Sequence, residues 1–420
     1  MTEISSHFPE YSEYDPSVPV WCVTPGTGRI IHRFFDTSPF SPSGRYLALT
    51  RLPYEDRLPD PGDAPAQVVV VDLENGKEEI VGETFGWDTQ LGAQAQWGCD
   101  DSQLFFNDLD TQTWRPFAVL LDISTGFRKE LEGTVYMASS DGRHLASPCL
   151  RRTGLTQAGY GVIVPEDHVP LNTGAATDDG LFVTDTMSGK CHLLVSLAEI
   201  VDVIGKPLTD DDFEPGAFYG FHVKWNRTGD RLMFVLRWLP HDPGEKQRFF
   251  VITMMADGSD IKCAIPWSEW SKGGHHPDWA PDGVTVTMNL NINGEGMRFI
   301  SARYDGANLK LLEPNIRGSG HPTLHPNGRT IVTDAYPKEP VACGDGTVPI
   351  RVIDIENGTE INAVRMQTVP TYAGPKGELR VDPHPAWDSN FRRIAFNGFS
   401  GGTRRVYVAD LSELRRGLHG

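Results

Sequence analysis

The strongest constraint on the fold is a phrase that the sequence repeats seven times. Each copy places an aromatic or apolar residue before a polar turn, mostly of the Asp-Gly, Asn-Gly or Ser-Gly kind, and continues as a strand of alternating apolar residues. The copies are 38–51, 94–108, 135–147, 222–237, 276–290, 321–336 and 384–399. A second two-strand phrase follows each of them, at 68–81, 117–131, 181–195, 249–265, 299–313, 350–364 and 405–411. Seven copies of two hairpins predict an all-β fold, a seven-bladed β-propeller with four-stranded antiparallel blades.

The two ends of the chain predict how the ring closes. The seventh copy stops at RVYVADL (405–411), so the outer strand of its blade is missing. The segment GRIIHRFF (28–35) has strand character, and we expect this N-terminal strand to close the ring. On this interpretation residues 1–27 form an N-terminal extension and residues 28–420 form one propeller. A long insertion at 153–180 interrupts it, and loops of this length are usually functional or disordered.

Composition narrows the classes of function. The 420 residues carry a net charge of −18, which argues against nucleic-acid binding because phosphates need a basic surface. No apolar run approaches the roughly 20 residues that span a bilayer, so no membrane partner is expected. No signal peptide is visible, which predicts a cytoplasmic protein, or a secreted one if a leader has been removed. Six scattered cysteines without a CxxC pair also suit a reducing compartment. The oligomeric state stays open.

The register of the repeats aligns a column of histidines. Counting back seven residues from the turn glycine, a position held by Asp101 in the second copy and Phe391 in the seventh, gives Thr37, Gln94, Val135, His222, His276, His321 and His384. In a propeller this position begins the innermost strand, so these side chains should face one another at one mouth of the central channel. Six residues after the turn lies a second, unusually polar ring: Thr50, Asn107, Pro148, Val235, Asn289, Asp334 and Asn397. The hairpin should place this second ring beside the histidines.

This histidine-rich mouth predicts a metal site. Neutral imidazoles with one carboxylate or amide favour a divalent transition metal, manganese or zinc rather than calcium. The predicted ligands are His276, His321, His384, Gln94 and Asp334. The alternative is that the histidines only form hydrogen bonds across a polar, water-filled channel.

Cationic and phenolic side chains are predicted near the same mouth. They are Arg51, Tyr136, Arg151, Arg152, Tyr160 and Arg237. Together the arginines are suited to hold a carboxylated ligand, although any single arginine in so acidic a protein more often forms a surface ion pair. The tyrosines are candidates for proton transfer, with simple packing as the alternative.

Several motifs resemble the oligogalacturonate lyase-type seven-bladed propellers, polysaccharide lyases with relatives that act on ulvan. The similar stretches are GAQAQW (92–97), HHPDW (275–279), GSGHPTLHPNGRTIVTDAYP (318–337), DPHPAW (382–387) and RVYVADL (405–411). The resemblance implies β-elimination on a uronic acid, with a metal held by the histidines of the column. It also implies that Tyr136 and Arg152 match a tyrosine and an arginine that the ulvan-acting relatives use. Gln94 departs from the pattern, because some relatives have histidine there.

We therefore expect a lyase that cleaves an anionic, uronate-containing oligosaccharide or polysaccharide by metal-assisted β-elimination. The metal with Arg152 and Arg237 would neutralise the uronate carboxylate, His222 or Tyr136 would be the base, and Tyr136 the acid. The expected substrate contacts are Arg51, Asn107, Arg151 and Tyr160. Replacing Tyr136 by Phe is expected to abolish turnover without loss of metal. The alternatives are a non-catalytic propeller scaffold and a metal-dependent propeller hydrolase.

Overall fold

Polar-Gly turns fold each repeat into hairpins, because glycine takes the positive φ that these turns require. Gly44, Gly229 and Gly283 have φ values of 78°, 74° and 73°. In the computed structural model, which describes residues 4–206, 208, 215–374 and 377–417, the hairpins form seven four-stranded antiparallel sheets. The predicted seven-bladed propeller is confirmed. Among the described residues, no helix has the length and apolar character needed to cross a membrane.

The strands follow the repeats closely. A short helix α1 (Ile4–His7) and strand β1 (Val20–Cys22) precede the first blade. Blade 1 contains β2 (Ile30–Ile31), β3 (Tyr46–Arg51), β4 (Ala66–Asp72) and β5 (Glu78–Thr84). Blade 2 contains β6 (Gln96–Trp97), β7 (Gln103–Asp110), β8 (Arg115–Asp122) and β9 (Arg128–Glu130). Blade 3 contains β10 (Met137–Ala138), β11 (His144–Ser147), β12 (Gly180–Asp185) and β13 (Cys191–Ser196). Helix α2 (Leu150–Thr156) and a 3-10 turn (Glu166–His168) lie between β11 and β12.

The second half of the ring continues in the same order. Helix α3 (Leu197–Ile204) leads to blade 4, with β14 (Gly216–Trp225), β15 (Arg231–Pro240), β16 (Arg248–Met255) and β17 (Lys262–Ile265). Helix α4 (Trp267–Trp270) precedes blade 5, with β18 (Gly274–Trp279), β19 (Thr285–Leu290), β20 (Arg298–Arg303) and β21 (Lys310–Leu311). Blade 6 contains β22 (Thr323–Leu324), β23 (Thr330–Thr333), β24 (Thr347–Asp354) and β25 (Thr359–Gln367). Blade 7 contains β26 (Ala386–Trp387), β27 (Arg393–Ser400) and β28 (Thr403–Asp410), followed by α5 (Ser412–Gly417).

An N-terminal strand does close the ring, but it is not the segment 28–35. Strand β1 pairs with β28, with Val20 opposite Ala409, and so supplies the outer strand of blade 7. Ile30 and Ile31 instead form the innermost strand of blade 1 and pair with β3. The assignment of 28–35 was wrong because an apolar run indicates a strand without saying whether it lies at the inner or outer edge of a sheet.

The core lies between neighbouring blades. Val68 and Val70 of blade 1 pack in one cluster with Leu104 and Phe106 of blade 2, and all four are buried. Because both faces of each sheet are covered in this way, a central strand such as β4 is apolar on both sides, whereas the outer strand β5 is largely exposed. The inner edges of the blades are thereby held in fixed positions around the channel.

A plug fills the central channel. After β2 the chain enters the channel, where Phe34 is fully buried. Its ring centroid lies 5.1, 5.9, 5.5 and 4.7 Å from those of the four histidines of the column, His222, His276, His321 and His384. Below it the Lys224 ammonium lies 3.0 Å from the Asp36 carboxylate, both side chains almost fully buried. A polymer therefore has no open path through the ring, and the two mouths are separate.

The second polar ring ties neighbouring blades together. The Asn107 side chain accepts a hydrogen bond from the Val135 N–H and donates one to the Val135 carbonyl, both at 2.8 Å. The Asn397 amide oxygen accepts a hydrogen bond from the His32 N–H at 3.0 Å. The Thr50 hydroxyl of blade 1 likewise accepts a hydrogen bond from a backbone N–H of blade 2. These polar groups satisfy backbone groups of the inner strands. The structure thus engages Asn107, a predicted substrate contact, in a blade-to-blade hydrogen bond.

Candidate active site

Irregular backbone turns the column residues into the channel. The pairing register of β14 shifts around His222, and that of β18 shifts around His276. His276, His384 and Gln94 also have positive φ values of 58°, 50° and 56°. A bulge or a left-handed residue re-aims a side chain that a regular strand would point into a neighbouring blade. The aligned positions therefore project towards the channel.

Three of the four histidines of the column have neighbouring rings. The ring centroids of His276 and His321 are 3.9 Å apart, and those of His321 and His384 are 4.3 Å apart. His321 and His384 are each 1% exposed. This convergence was predicted from the repeat register alone.

One group in this cluster fits a metal ion. Donor atoms of His321, His384 and Asp382 all lie within 4.8 Å of one another. Neither ring nitrogen of His384 has a hydrogen-bond partner among the described residues, although both are buried. Unpaired buried nitrogens are costly, and a cation would satisfy one of them. Two imidazoles and a carboxylate form a donor set that manganese and zinc both accept.

The other predicted ligands are placed differently. Nδ1 of His276 lies 2.8 Å from the Gly320 carbonyl, and its Nε2 lies 3.4 Å from the Tyr336 hydroxyl. Both carboxylate oxygens of Asp334 lie 2.9 Å from Nδ1 of His321. Gln94 is 2% exposed, and its side-chain oxygen is unpaired within the described part of the chain. None of these three belongs to the group of donor atoms that share one point.

Asp382 is a candidate ligand that sequence reasoning missed. It lies in the loop before β26, outside the positions that the repeats align. The available signal was the motif Asp382-Pro-His384-Pro, which sets a carboxylate two residues before a column histidine.

A cleft of about 190 Å³ opens beside the histidine cluster. Its polar and aromatic walls include Tyr160, His222, Arg237, His276, Tyr336 and Arg380. Blades 4, 5 and 6, the long insertion and the loop before blade 7 all contribute to it. Four of these six residues, Tyr160, His222, Arg237 and His276, were singled out from the sequence.

Arg237 is a cation without a carboxylate partner. Its guanidinium donates to the Thr156 carbonyl and to the Gln157 side-chain oxygen, both at 3.0 Å. It stacks on the Phe221 ring at 3.4 Å and lies 5.0 Å from the Phe249 ring. No described carboxylate lies within ion-pair distance, and desolvation lowers its pKa to about 9. A largely enclosed, uncompensated guanidinium that lines a cleft is suited to bind an anion.

Arg380 connects the cleft to the metal-ligand group. Its Nε and Nη2 lie 2.9 and 2.7 Å from the two carboxylate oxygens of Asp382. Its guanidinium also lies 5.7 Å from the centre of the Tyr336 ring. Arg380 was not predicted because it lies outside the seven copies, and Tyr336 was not singled out although it is the last residue of the sixth copy.

His222 is a neutral imidazole at the cleft wall. It stacks between Phe221, at a centroid distance of 3.9 Å, and Tyr136, at 5.3 Å. Burial and the nearby cations Lys224 and Arg237 hold its pKa well below the usual value of 6.5. Its Nε2 has no hydrogen-bond partner among the described residues. These surroundings hold the ring in its neutral form.

Tyr136 lies behind His222 and is not among the residues that line the cleft. Its side chain is almost completely buried, with the Arg33 guanidinium 4.8 Å from the ring centre. Burial raises the pKa of its phenol well above 10, and the hydroxyl is unpaired among the described residues.

From this position we expect Tyr136→Phe to change kcat by less than about threefold, because it removes no contact to the cleft. A steady-state assay checks this, with Tyr160→Phe in the cleft wall as comparison. Loss of turnover in Tyr136→Phe with an intact fold would restore its predicted role in proton transfer.

The remaining predicted cations lie outside the cleft lining. Arg51 pairs with Glu78 and Gln67 on blade 1. Arg151 donates to the His168 carbonyl at 3.2 Å. Arg152 lies 3.2 Å from the Asp179 carboxylate in an ion pair that fastens the two ends of the insertion. The structure brings none of these three into contact with the cleft.

A buried carboxylate anchors the insertion. Asp88 accepts hydrogen bonds from the N–H groups of Leu91, Gln90 and Gly161 at 2.6, 2.9 and 2.8 Å. Desolvation raises its pKa from 3.8 to about 7. Between pH 3.8 and about pH 7 the native state carries a proton on Asp88 that the unfolded state lacks. Protonation of Asp88 therefore stabilises the native state fully below about pH 4, and this stabilisation is lost as the pH rises through 7.

The Asp88→Asn variant is expected to lose this pH dependence. Between about pH 8 and about pH 5, protonation of Asp88 adds about 3 kcal/mol to the free energy of unfolding of the wild type and nothing to that of the variant. Urea unfolding of both proteins at the two pH values measures the difference. The variant should fall further below the wild type at the lower pH. A difference that does not change with pH would contradict the assignment.

Comparisons with known proteins show a fold and no closer relationship. No protein-family model matches the sequence, and no curated protein matches it. The structure is similar to that of an oligogalacturonate lyase in complex with manganese, with 18% identity, 96% of each chain covered and a TM-score of 0.65. It is equally similar to an oligogalacturonate lyase from Vibrio parahaemolyticus, with 15% identity, 97% of each chain covered and a TM-score of 0.65. The resemblance stated from the sequence motifs is confirmed.

Propellers of another class also match. A puromycin hydrolase is 13% identical with a TM-score of 0.52, and the match covers 93% of this chain and 53% of the hydrolase. At such identities the similarities establish the propeller architecture, and the chemistry must be argued from the site itself.

Proposed function

We propose that this protein is a metal-dependent lyase that cleaves a uronate-containing oligosaccharide by β-elimination in the cleft beside the histidine cluster. The observation that carries the proposal is Arg237, a guanidinium that faces the cleft without a carboxylate of its own. The neutral His222 shares that cleft, and Arg380 in the cleft wall pairs with Asp382 of the metal-ligand group. The similarity to an oligogalacturonate lyase in complex with manganese supports the same chemistry.

The residues present suit the first requirement of the reaction, which is to make the proton at C5 of the uronate acidic. Arg237 can pair with the uronate carboxylate in a bidentate way, which stabilises the negative charge that develops when the proton leaves. A divalent ion held by His321, Asp382 and His384 would supply additional Lewis-acid polarisation of that carboxylate. Arg380 holds Asp382 in place for this role through one hydrogen bond and an ion pair.

Proton transfer falls to the groups that line the cleft. We assign the base that takes the C5 proton to His222, a neutral imidazole in the cleft wall. The leaving O4 must gain a proton as its bond to C4 breaks and the C4–C5 double bond forms. Tyr160 and Tyr336 both reach the cleft, and burial keeps both phenols protonated, raising the pKa of Tyr160 to about 12. We assign the acid to one of these two tyrosines rather than to Tyr136.

The test is a panel of uronate oligomers: galacturonate, glucuronate, ulvan-type and rhamnose-capped. β-Elimination creates an unsaturated uronate, so absorbance near about 235 nm should rise for one member of the panel and stay flat after EDTA treatment. Readdition of manganese or zinc should restore the rate.

Two outcomes would overturn the proposal. New reducing ends without absorbance would indicate hydrolysis, the chemistry of the metal-dependent alternative. No cleavage of any oligomer by protein shown to contain a metal would favour a scaffold with a structural ion. A His192→Ala variant is a suitable control for nonspecific loss of activity. This histidine is exposed and lies on β13, the outer strand of blade 3, whereas the metal-ligand group lies at the inner ends of blades 6 and 7.

A further inference from the structure

The Asp334 carboxylate accepts hydrogen bonds from both histidines of the metal-ligand group. It lies at the end of β23 and is 1% exposed. One carboxylate oxygen accepts from the backbone N–H of His321 at 2.7 Å, and the other accepts from the backbone N–H of His384 at 3.1 Å. Both oxygens also lie 2.9 Å from Nδ1 of His321. One buried carboxylate therefore contacts residues of both blade 6 and blade 7.

These contacts fix the orientation of the His321 ring. A carboxylate oxygen accepts, so Nδ1 must carry the proton that it donates to Asp334. The Nε2 atom of the same ring is then unprotonated and presents its lone pair to the ligand group. A carboxylate that holds the far nitrogen of a metal-binding histidine both orients the ring and raises its donor strength.

The contact to His384 acts on the backbone instead. His384 has a φ of 50°, a left-handed conformation that is unfavourable for a residue with a side chain. The hydrogen bond from its N–H to Asp334 stabilises this conformation, which aims the imidazole at His321. The two histidines come from different blades, so without a shared partner their separation would depend on blade packing alone.

We propose that Asp334 is the positioning residue of the metal site: it sets the tautomer of His321 and the backbone of His384, and it is not itself a ligand. This inference rests on the proposed function, because the metal site that Asp334 positions is part of that function. It differs from the assignment made from the sequence, which placed Asp334 among the ligands.

The tautomer of His321 is the first test and is measured on the wild-type protein. Long-range ¹⁵N–¹H correlation spectra of the metal-free protein, assigned with a His321→Gln variant, distinguish the two neutral forms. We expect His321 with its proton on Nδ1. A proton on Nε2 would overturn the proposal whether or not the protein proves to be a lyase.

The second test is Asp334→Asn. Asparagine has one oxygen and cannot accept from all three N–H groups, so calorimetric titration with Mn²⁺ and with Zn²⁺ should show an affinity lowered about 10- to 100-fold. Thr50→Val is the matched control, because it removes a hydrogen bond at the same register position of blade 1. It should leave metal affinity unchanged.

Unchanged affinity in Asp334→Asn would overturn the proposal. If this variant does not fold, Asp334→Glu keeps the carboxylate and moves it by one methylene, and it should weaken metal binding with the wild-type tautomer retained. Wild-type affinity in Asp334→Glu would contradict a positioning role. Metal binding with this pattern but without uronate cleavage would support the positioning role and refute the proposed function, so the two can fail separately.

Discussion

Replacing His384 by Ala is expected to abolish divalent-metal binding and to lower turnover by at least about 10³-fold. His384 supplies one of the three donor atoms within 4.8 Å of one another, and both of its ring nitrogens are buried without partners among the described residues. Loss of one donor from a three-residue set leaves too few protein ligands to hold an ion against water. Metal content after dialysis and the rise in absorbance near about 235 nm measure the two effects together.

The stability of the His384→Ala variant separates the site from the fold. The histidine ring packs against Phe34 at a centroid distance of 4.7 Å, so its removal leaves a small cavity and is expected to cost about 2 kcal/mol. The exposed His192→Ala control should keep metal, turnover and stability. A His384→Ala variant that still binds one equivalent of metal with wild-type affinity would exclude the proposed ligand group.

The sequence was most informative where the repeats impose a register. The turn position, a glycine in five of the seven repeats, fixes the counting. Counting back seven residues from it found His321 and His384 because a propeller brings equivalent inner positions to one channel mouth. The same counting failed for Thr37, which lines the cavity on the other side of the plug instead. In blade 1 the inner strand Ile30–Ile31 lies well before the turn, and the intervening chain forms the plug.

Two of the residues that were missed, Arg380 and Asp382, lie between repeats, in a connection whose path depends on tertiary packing, so no periodicity aligns them with the channel. Tyr336 lies inside the sixth copy, eight residues after its turn glycine like Arg237 in the fourth, and the repeat register could have found it. The second polar ring was misread for a different reason. Asn107 and Asn397 are polar because inner strands expose backbone groups to the next blade, and a side-chain amide satisfies them. Polarity on an inner strand indicates a hydrogen bond without saying whether its partner is backbone or ligand.

Replacing Arg237 by Met is expected to lower kcat/KM for the uronate substrate by about 10²- to 10³-fold, which is the usual effect of removing one preorganised group that stabilises developing charge. The free energy of unfolding should stay the same or increase. Arg237 is largely enclosed against Phe221 and Phe249 and has no described carboxylate partner, so an apolar side chain of similar length removes an uncompensated charge. Arg237→Lys keeps the charge but cannot form the bidentate contact to the carboxylate, so it should recover only part of the lost kcat/KM.

For Arg152→Met we expect the opposite result: a loss of stability with activity largely kept. Its guanidinium pairs with Asp179, whose side chain is 2% exposed, so the substitution leaves a buried carboxylate unpaired and should cost about 3–5 kcal/mol of stability. Steady-state kinetics and urea unfolding of both variants form a two-by-two comparison. Activity lost without stability in Arg237→Met, and stability lost with activity largely kept in Arg152→Met, would assign the uronate carboxylate to Arg237. The reverse pattern would assign it to Arg152, as the resemblance to the ulvan-acting relatives implied, and would move the substrate from the cleft towards the insertion.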